Sequence, residues 1–151
     1  MMSAPKTSLI VGCSLCFASL FADAGDAVAI GYNSENVWMM VTYYSSSTPK
    51  GGRDYKDEAG AREAASLDVR RRAGEGLAKV DVIAVSDLTG YAAVVRGETQ
   101  SGKDVTTVGY GKSQADAEKK ALSDLNRDGA TAKQKIVYRY FSYGADSTTR
   151  P

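Results

Sequence analysis

The residues able to carry chemistry in this chain form a short inventory. The 151 residues include no histidine and only two cysteines. That excludes Ser-His-Asp and Cys-His catalysis, histidine metal ligation and histidine proton relays together. Cys13 and Cys16 both lie in an apolar N-terminal stretch, so the rest of the chain has neither a disulfide framework nor a thiol nucleophile. Carboxylates and tyrosines remain. A pair of carboxylates can hydrolyse a glycosidic bond, and a carboxylate-dependent hydrolase or carbohydrate-binding protein is therefore the alternative reading. Here, however, Asp and Glu fall mainly on helix faces, at helix starts and in turns, where solvated charge is the ordinary role. Asp54, Asp57 and Glu58 gather ahead of a helix. They lack the glycine-punctuated ligand ladder of a calcium loop and suit the positive end of the helix dipole. No catalytic residue, metal or cofactor is assigned.

The tyrosines are more pointed. Tyr43 and Tyr44 end one apolar run; Tyr138, Tyr140 and Tyr143 crowd the last one beside Arg139. Tyrosine suits places with one apolar side and one wet side, including interfaces. Those residues, with Arg53 from a Ser/Pro/Gly loop, form the expected interaction surface, for another protein or a second copy. The competing role for the rings is simply to cap the sheet.

The elements that must position them are readable. Asp104–Tyr110 (DVTTVGY) is a Val/Thr strand. Ser113 is an N-cap, with Asp116 three residues on. Ala117, Ala121 and Leu125 make the apolar stripe of a helix that Gly129 ends. Ile136–Phe141 is the aromatic strand. Strict alternation puts Ile136, Tyr138 and Tyr140 on one face and Val137, Arg139 and Phe141 on the other. Earlier, Asp26–Tyr32 and Val37–Tyr44 are strands. The second is apolar on both faces, which suggests a central position. Ser45–Asp54 is a loop, and Lys56–Arg72 a helix with Ala61, Ala65 and Val69 in one stripe, stopped at Gly74. Val80–Val85 is a strand, and Tyr91–Gly97 with Asp104–Tyr110 forms a hairpin.

Two halves follow one plan. Residues 58–86 laid on 114–142 match helix to helix and strand to strand, with identities at Ala61/Ala117, Ala65/Ala121, Asp68/Asp124 and Ser86/Ser142 among others. Ala27-Val28-Ala29-Ile30 likewise resembles Ala92-Ala93-Val94-Val95. Self-similarity of this kind points to a duplicated supersecondary unit. The expected fold is α+β: strand-strand-helix-strand repeats at 26–86 and 91–142, a mainly antiparallel sheet of about six strands in which the halves share one continuous sheet or stack sheets, and two helices packed on one side. A sheet so built has an open face, and that face or the 45–54 loop is the expected route to a partner.

Residues 1–24 have the form of a secretory signal. Lys6 precedes the uncharged, mostly apolar run Ser8–Phe21, and Ala22-Asp23-Ala24 supplies small residues at −3 and −1 of a cleavage site. The run is short for a membrane span, which takes roughly 20 apolar residues. A periplasmic or secreted protein is expected, without a span once cleaved. Lipidation at Cys13, after Ile10-Val11-Gly12, is the minor alternative. Residues 25–143 make one domain, and the polar tail 144–151 is expected to be disordered. The formal net charge of the whole chain is +1, which gives no field for nucleic acid.

Gly109-Tyr110-Gly111-Lys112-Ser113, followed by Ala117 and Ala121-Leu122, resembles the closing strand and helix of double-stranded RNA-binding domains. Gln114, Ala115 and Asp116 stand where that family places phosphate-binding lysines, so RNA is not an expected partner. Ala29-Ile30-Gly31-Tyr32, Val108-Gly109-Tyr110-Gly111 and Ala121-Leu122 resemble small exported bacterial domains of unknown function. Such domains bracket the last strand with cysteines, which this chain lacks. The resemblance implies an exported α+β domain and no activity.

Overall fold

The structure, a computed structural model, describes residues 25–45 and 58–143. The expected signal segment with Cys13, most of the Ser45–Asp54 loop including Arg53, and the 144–151 tail lie outside the described residues.

The elements run β1 (Asp26–Tyr32), β2 (Trp38–Ser45), α1 (Glu58–Arg72), β3 (Lys79–Ser86), β4 (Thr89–Glu98), β5 (Asp104–Gly111), α2 (Gln114–Arg127) and β6 (Ala132–Tyr143). The α+β class, the six antiparallel strands and the two strand-strand-helix-strand units are as expected. The strands are divided between two sheets, in the orders β2-β1-β3 and β5-β4-β6. Each unit thus puts its first strand in the middle, pairs it with the second in a hairpin, and returns through a helix to its other edge. In each helix the same small stripe is buried: Ala61, Ala65 and Val69 in α1, and Ala117, Ala121 and Leu125 in α2.

Every sheet has two faces, and one helix covers one of them. The two units cover the remaining faces for each other. Ala27 and Ala29 pack under α1 with Met40, Val80, Val82 and Val85. Val95 packs under α2 with Ala121, Leu125 and Ile136. Between the sheets lie Val28, Val41, Ile83 and Ala84 from the first unit, and Ala92, Val94, Val108, Val137 and Tyr140 from the second. The order of layers is therefore α1, sheet, sheet, α2. The helices stand on opposite outer faces, where a single sheet would have put both on one side. β2 lies against β6 and β3 against β5.

Three details of the sequence reading change. β2 is an edge strand, and β1, buried along all seven residues, is the central one. β2 is apolar on both faces because α1 covers one and the other sheet covers the second, which needs no central position. Strict alternation also fails. Pairing slips by one residue between Val94↔Tyr138 and Val95↔Ile136, so Ile136 faces α2 while Tyr138 and Tyr140 face the other sheet. A similar slip between Gly31↔Met40 and Tyr32↔Trp38 turns Trp38 to the inside, away from Met40 and Thr42. Finally, Ala27 faces a helix whereas Ala92 faces the other sheet. The likeness between the two leading strands is one residue out of register, since Val28↔Ala84 corresponds to Ala92↔Tyr140.

The helix ends are closed as their residues require. The Ser113 hydroxyl accepts from the Asp116 N–H at 3.1 Å and donates to its carboxylate at 2.7 Å. Gly129 takes φ 77°, and the Ala130 N–H returns to the Leu125 carbonyl at 3.1 Å. At Gly109 a Cβ would strike the Ala117 carbonyl and approach the Ala121 nitrogen to 2.5 Å. The missing side chain is what lets α2 lie on β5, where Thr107 also donates to the Ala121 carbonyl at 2.8 Å.

Candidate functional site

The expected tyrosine surface divides into parts. Tyr43 of β2 stacks on Tyr140 of β6 with centroids 3.8 Å apart, and Tyr138 lies 6.2 Å from Tyr43 and 6.0 Å from Tyr140. These three rings join the two edge strands along one side of the sandwich. The Tyr43 hydroxyl donates to the Phe141 carbonyl at 3.4 Å. Tyr140 is buried, and only Tyr138, 43% exposed, offers much surface. Tyr44 turns the other way and packs on the α1 core. Arg139 is held on the outer face by Glu118 of α2 at 2.7 Å. The backbone of Tyr143 pairs with Thr89, and Arg53 lies outside the described residues. The expected set is therefore not one surface: three of its rings are mutual packing, and Tyr44 and Arg139 serve each helix.

A different aromatic pair is open. α2 lies over β5 and β4 and barely reaches β6, because the glycines that admit it are on β5. Ile136 and the Arg139–Glu118 pair still reach the helix, and the outer face toward the end of β6 is left more exposed. There Tyr91 and Phe141, direct partners across β4 and β6, meet edge to face at 5.1 Å and are 40% and 38% exposed. Leu88, in the turn that leads into β4, is 58% exposed. Phe141 is legible in the sequence as part of the aromatic strand. Its pairing with Tyr91, fifty residues earlier in the chain, depends on register and is not.

The buried polar groups concentrate at one end of the sheet interface. Asp26 has no exposed surface. The Tyr110 hydroxyl donates to its Oδ1 at 3.3 Å and lies 3.1 Å from the Tyr140 hydroxyl. Ser142 also bonds the carboxyl, while Oδ2 has no hydrogen-bond partner among the described residues. Burial pushes the Asp26 carboxyl up to about 6; the Ser142 and Tyr110 hydroxyls oppose that rise and the nearby Asp87 adds to it. Burial, and then the charge of Asp26, raise the Tyr110 and Tyr140 phenols well above the ordinary tyrosine value. This cluster can hold a proton near pH 6, but it is closed to any substrate. Its sequence signal was faint: one Asp at the head of an apolar strand.

At the opposite end, Arg96 and Asp104 form a partly buried pair, with Nε 3.0 Å and Nη2 2.6 Å from one carboxylate oxygen. The other oxygen accepts from the Trp38 backbone N–H at 3.4 Å, and the guanidinium lies 5.2 Å over the Trp38 ring. This arrangement ties β2 of one sheet to β4 and β5 of the other. Several other carboxylates are in ion pairs: Asp68 with Arg72, Asp124 with Lys120 and Arg127, and Glu98 with Lys133. Among the described residues no three His, Cys, Asp or Glu gather as metal ligands, and no helix is long and apolar enough to cross a membrane. A shallow depression along α2, lined by Ala115, Glu118, Lys119, Leu122, Ser123 and Asn126, has one carboxylate, and Arg139 holds it. Compared with protein-family models, with curated proteins and with solved structures, the chain matches none of them.

Proposed function

We propose that this protein is exported to the periplasm or the medium and acts without catalysis, by binding another protein in an inhibitor- or immunity-like role. The observation that carries the reading is the exposed Tyr91–Phe141 pair, which meets edge to face on a part of the sheet that α2 does not cover. Aromatic rings presented on a rigid sheet are good anchors, since they bring large contact area at small conformational cost. The inner sheet faces pack on each other, so the outer face beside β6 takes the place of the open face expected from sequence. The 45–54 loop is the second route. The resemblance to small exported domains and the signal-like 1–24 segment support export. The ion pairing of the surface carboxylates and the burial of Asp26 favour binding over carboxylate-dependent hydrolysis.

The test is a capture experiment. The processed protein is immobilised and exposed to the envelope and secreted fractions of its own cell, in parallel with a Tyr91→Ser/Phe141→Ser variant whose circular dichroism is unchanged. One protein held by the wild type and lost by the variant is the expected result. Equal retention by both removes the Tyr91–Phe141 pair as the binding surface and leaves the 45–54 loop; no protein retained by either, or hydrolysis of a polysaccharide that survives in the variant, contradicts the reading.

A further inference from the structure

Asp26 stands one residue beyond the Ala24–Gly25 bond at which the Ala22-Asp23-Ala24 pattern predicts cleavage. Gly25 is itself buried, and its N–H donates to the Ser86 carbonyl at 2.9 Å. Ser86 is also the strand partner of Asp26. Among the described residues, the groups that bear on the Asp26 carboxyl come from two strands and the turn after β3: Tyr110 of β5, Tyr140 and Ser142 of β6, and Asp87. Among the described residues no cation bears on it, and Asp87 is a like charge. A carboxylate buried with one oxygen unbonded and no positive neighbour is a costly arrangement, normally relieved by a counter-charge or by protonation.

We propose that cleavage after Ala24 supplies the missing cation: the new α-ammonium group of Gly25, held on the Ser86 carbonyl, becomes the buried counter-charge of Asp26, so that export processing completes the interface between the sheets. The proposal rests on the export reading above. Hydrolysis by the exporting cell's signal peptidase consumes one water. The C–N bond breaks, the Ala24 carbonyl carbon gains the oxygen and leaves as a carboxylate, and the Gly25 nitrogen takes up both of the water's protons. The peptide N–H has one hydrogen, already given to Ser86. The ammonium has three, which keeps that bond and frees two for the Asp26 side.

An adjacent opposite charge lowers a carboxyl pKa by about 1–3 units. With Gly25 in peptide linkage Asp26 titrates at about 6; in the processed chain it is expected at or below about 5, with the α-amine above its ordinary value of about 8. To test this, the full chain is expressed in an exporting host, and the exported product is analysed by intact mass and N-terminal sequencing. Carboxyl-carbon NMR titration of Asp26 then compares that product with the same chain carrying one extra residue, Ala24. The expected results are a Gly25 start, an Asp26 midpoint at least one unit lower in the product, and a stability difference between the two chains that Asp26→Asn abolishes. A different N-terminus overturns the processing step. A Gly25 start with equal Asp26 midpoints in the two chains overturns the counter-charge and leaves the export reading intact.

Discussion

Replacing Asp26 with asparagine, in a chain that keeps Ala24 linked to Gly25, removes a buried charge and nearly conserves volume. The carboxyl titrates at about 6 in the folded state against an ordinary 3.8. The folded state therefore binds the proton more tightly than the unfolded state. The penalty from this group is absent below about pH 4, where both states are protonated. It grows as pH rises toward 6, and above about 6 the full penalty is present. At 1.36 kcal/mol per unit, the difference of these two values amounts to about 3 kcal/mol. Asparagine carries no charge, and its amide can bond the hydroxyls of Tyr110, Tyr140 and Ser142 that surround the site. The variant is expected to be more stable than wild type by up to about 3 kcal/mol at pH 7–8 and to lose the difference near pH 4. Urea unfolding at pH 4, 5, 6, 7 and 8 measures this, followed by the fluorescence of Trp38, the single tryptophan of the chain. It sits under the Arg96 guanidinium within the sheet interface. A variant less stable than wild type at pH 7–8, or a difference that does not change between pH 4 and pH 7, refutes the reasoning. In the processed chain the gain from asparagine is expected to shrink, because the Gly25 ammonium then compensates the carboxylate.

Two further substitutions probe the packing that makes the layers. Gly109→Ala drives a methyl into the α2 backbone at Ala117 and Ala121, which cannot yield as a side chain would; a loss of about 1–3 kcal/mol or more is expected by urea unfolding. No loss there would mean that α2 does not rest on β5. The Arg96–Asp104 pair should break asymmetrically, since the Asp104 side chain is 9% exposed and the Arg96 side chain 29%. Arg96→Ala strands a buried carboxylate and is expected to cost about 3–5 kcal/mol, more than Asp104→Ala, which leaves a guanidinium able to reach water. Equal losses in the same unfolding assay would show that the pair is as wet as a surface bridge.

Much of the local structure was legible because its causes are local. Ser113 and Asp116 close the start of α2 within one turn, and Gly129 ends it by adopting a backbone angle that other residues avoid. The matching stripes at Ala61, Ala65 and Val69 and at Ala117, Ala121 and Leu125 announced two like units, and the two sheets share one strand order. Local pattern was less reliable for faces. A one-residue slip opposite Val94 and Val95 is a property of two strands together, and it moves Tyr138 and Tyr140 to the inside. The same dependence decides which rings meet. Tyr43 and Tyr140 meet only because β2 and β6 belong to different sheets that stack, and Tyr91 meets Phe141 only through the register of β4 with β6.

By itself, then, the sequence determined the elements and their ends, the two-unit plan and the absence of histidine chemistry, because each is written in neighbouring residues or in composition. The tertiary structure decided that the strands form two sheets with a helix outside each, that Asp26 is enclosed, and that Tyr91 with Phe141 is left in the open. Those outcomes turn on which distant surfaces cover one another. An apolar strand face states only that something must cover it, and here a helix, a second sheet and solvent were all compatible with the same residues.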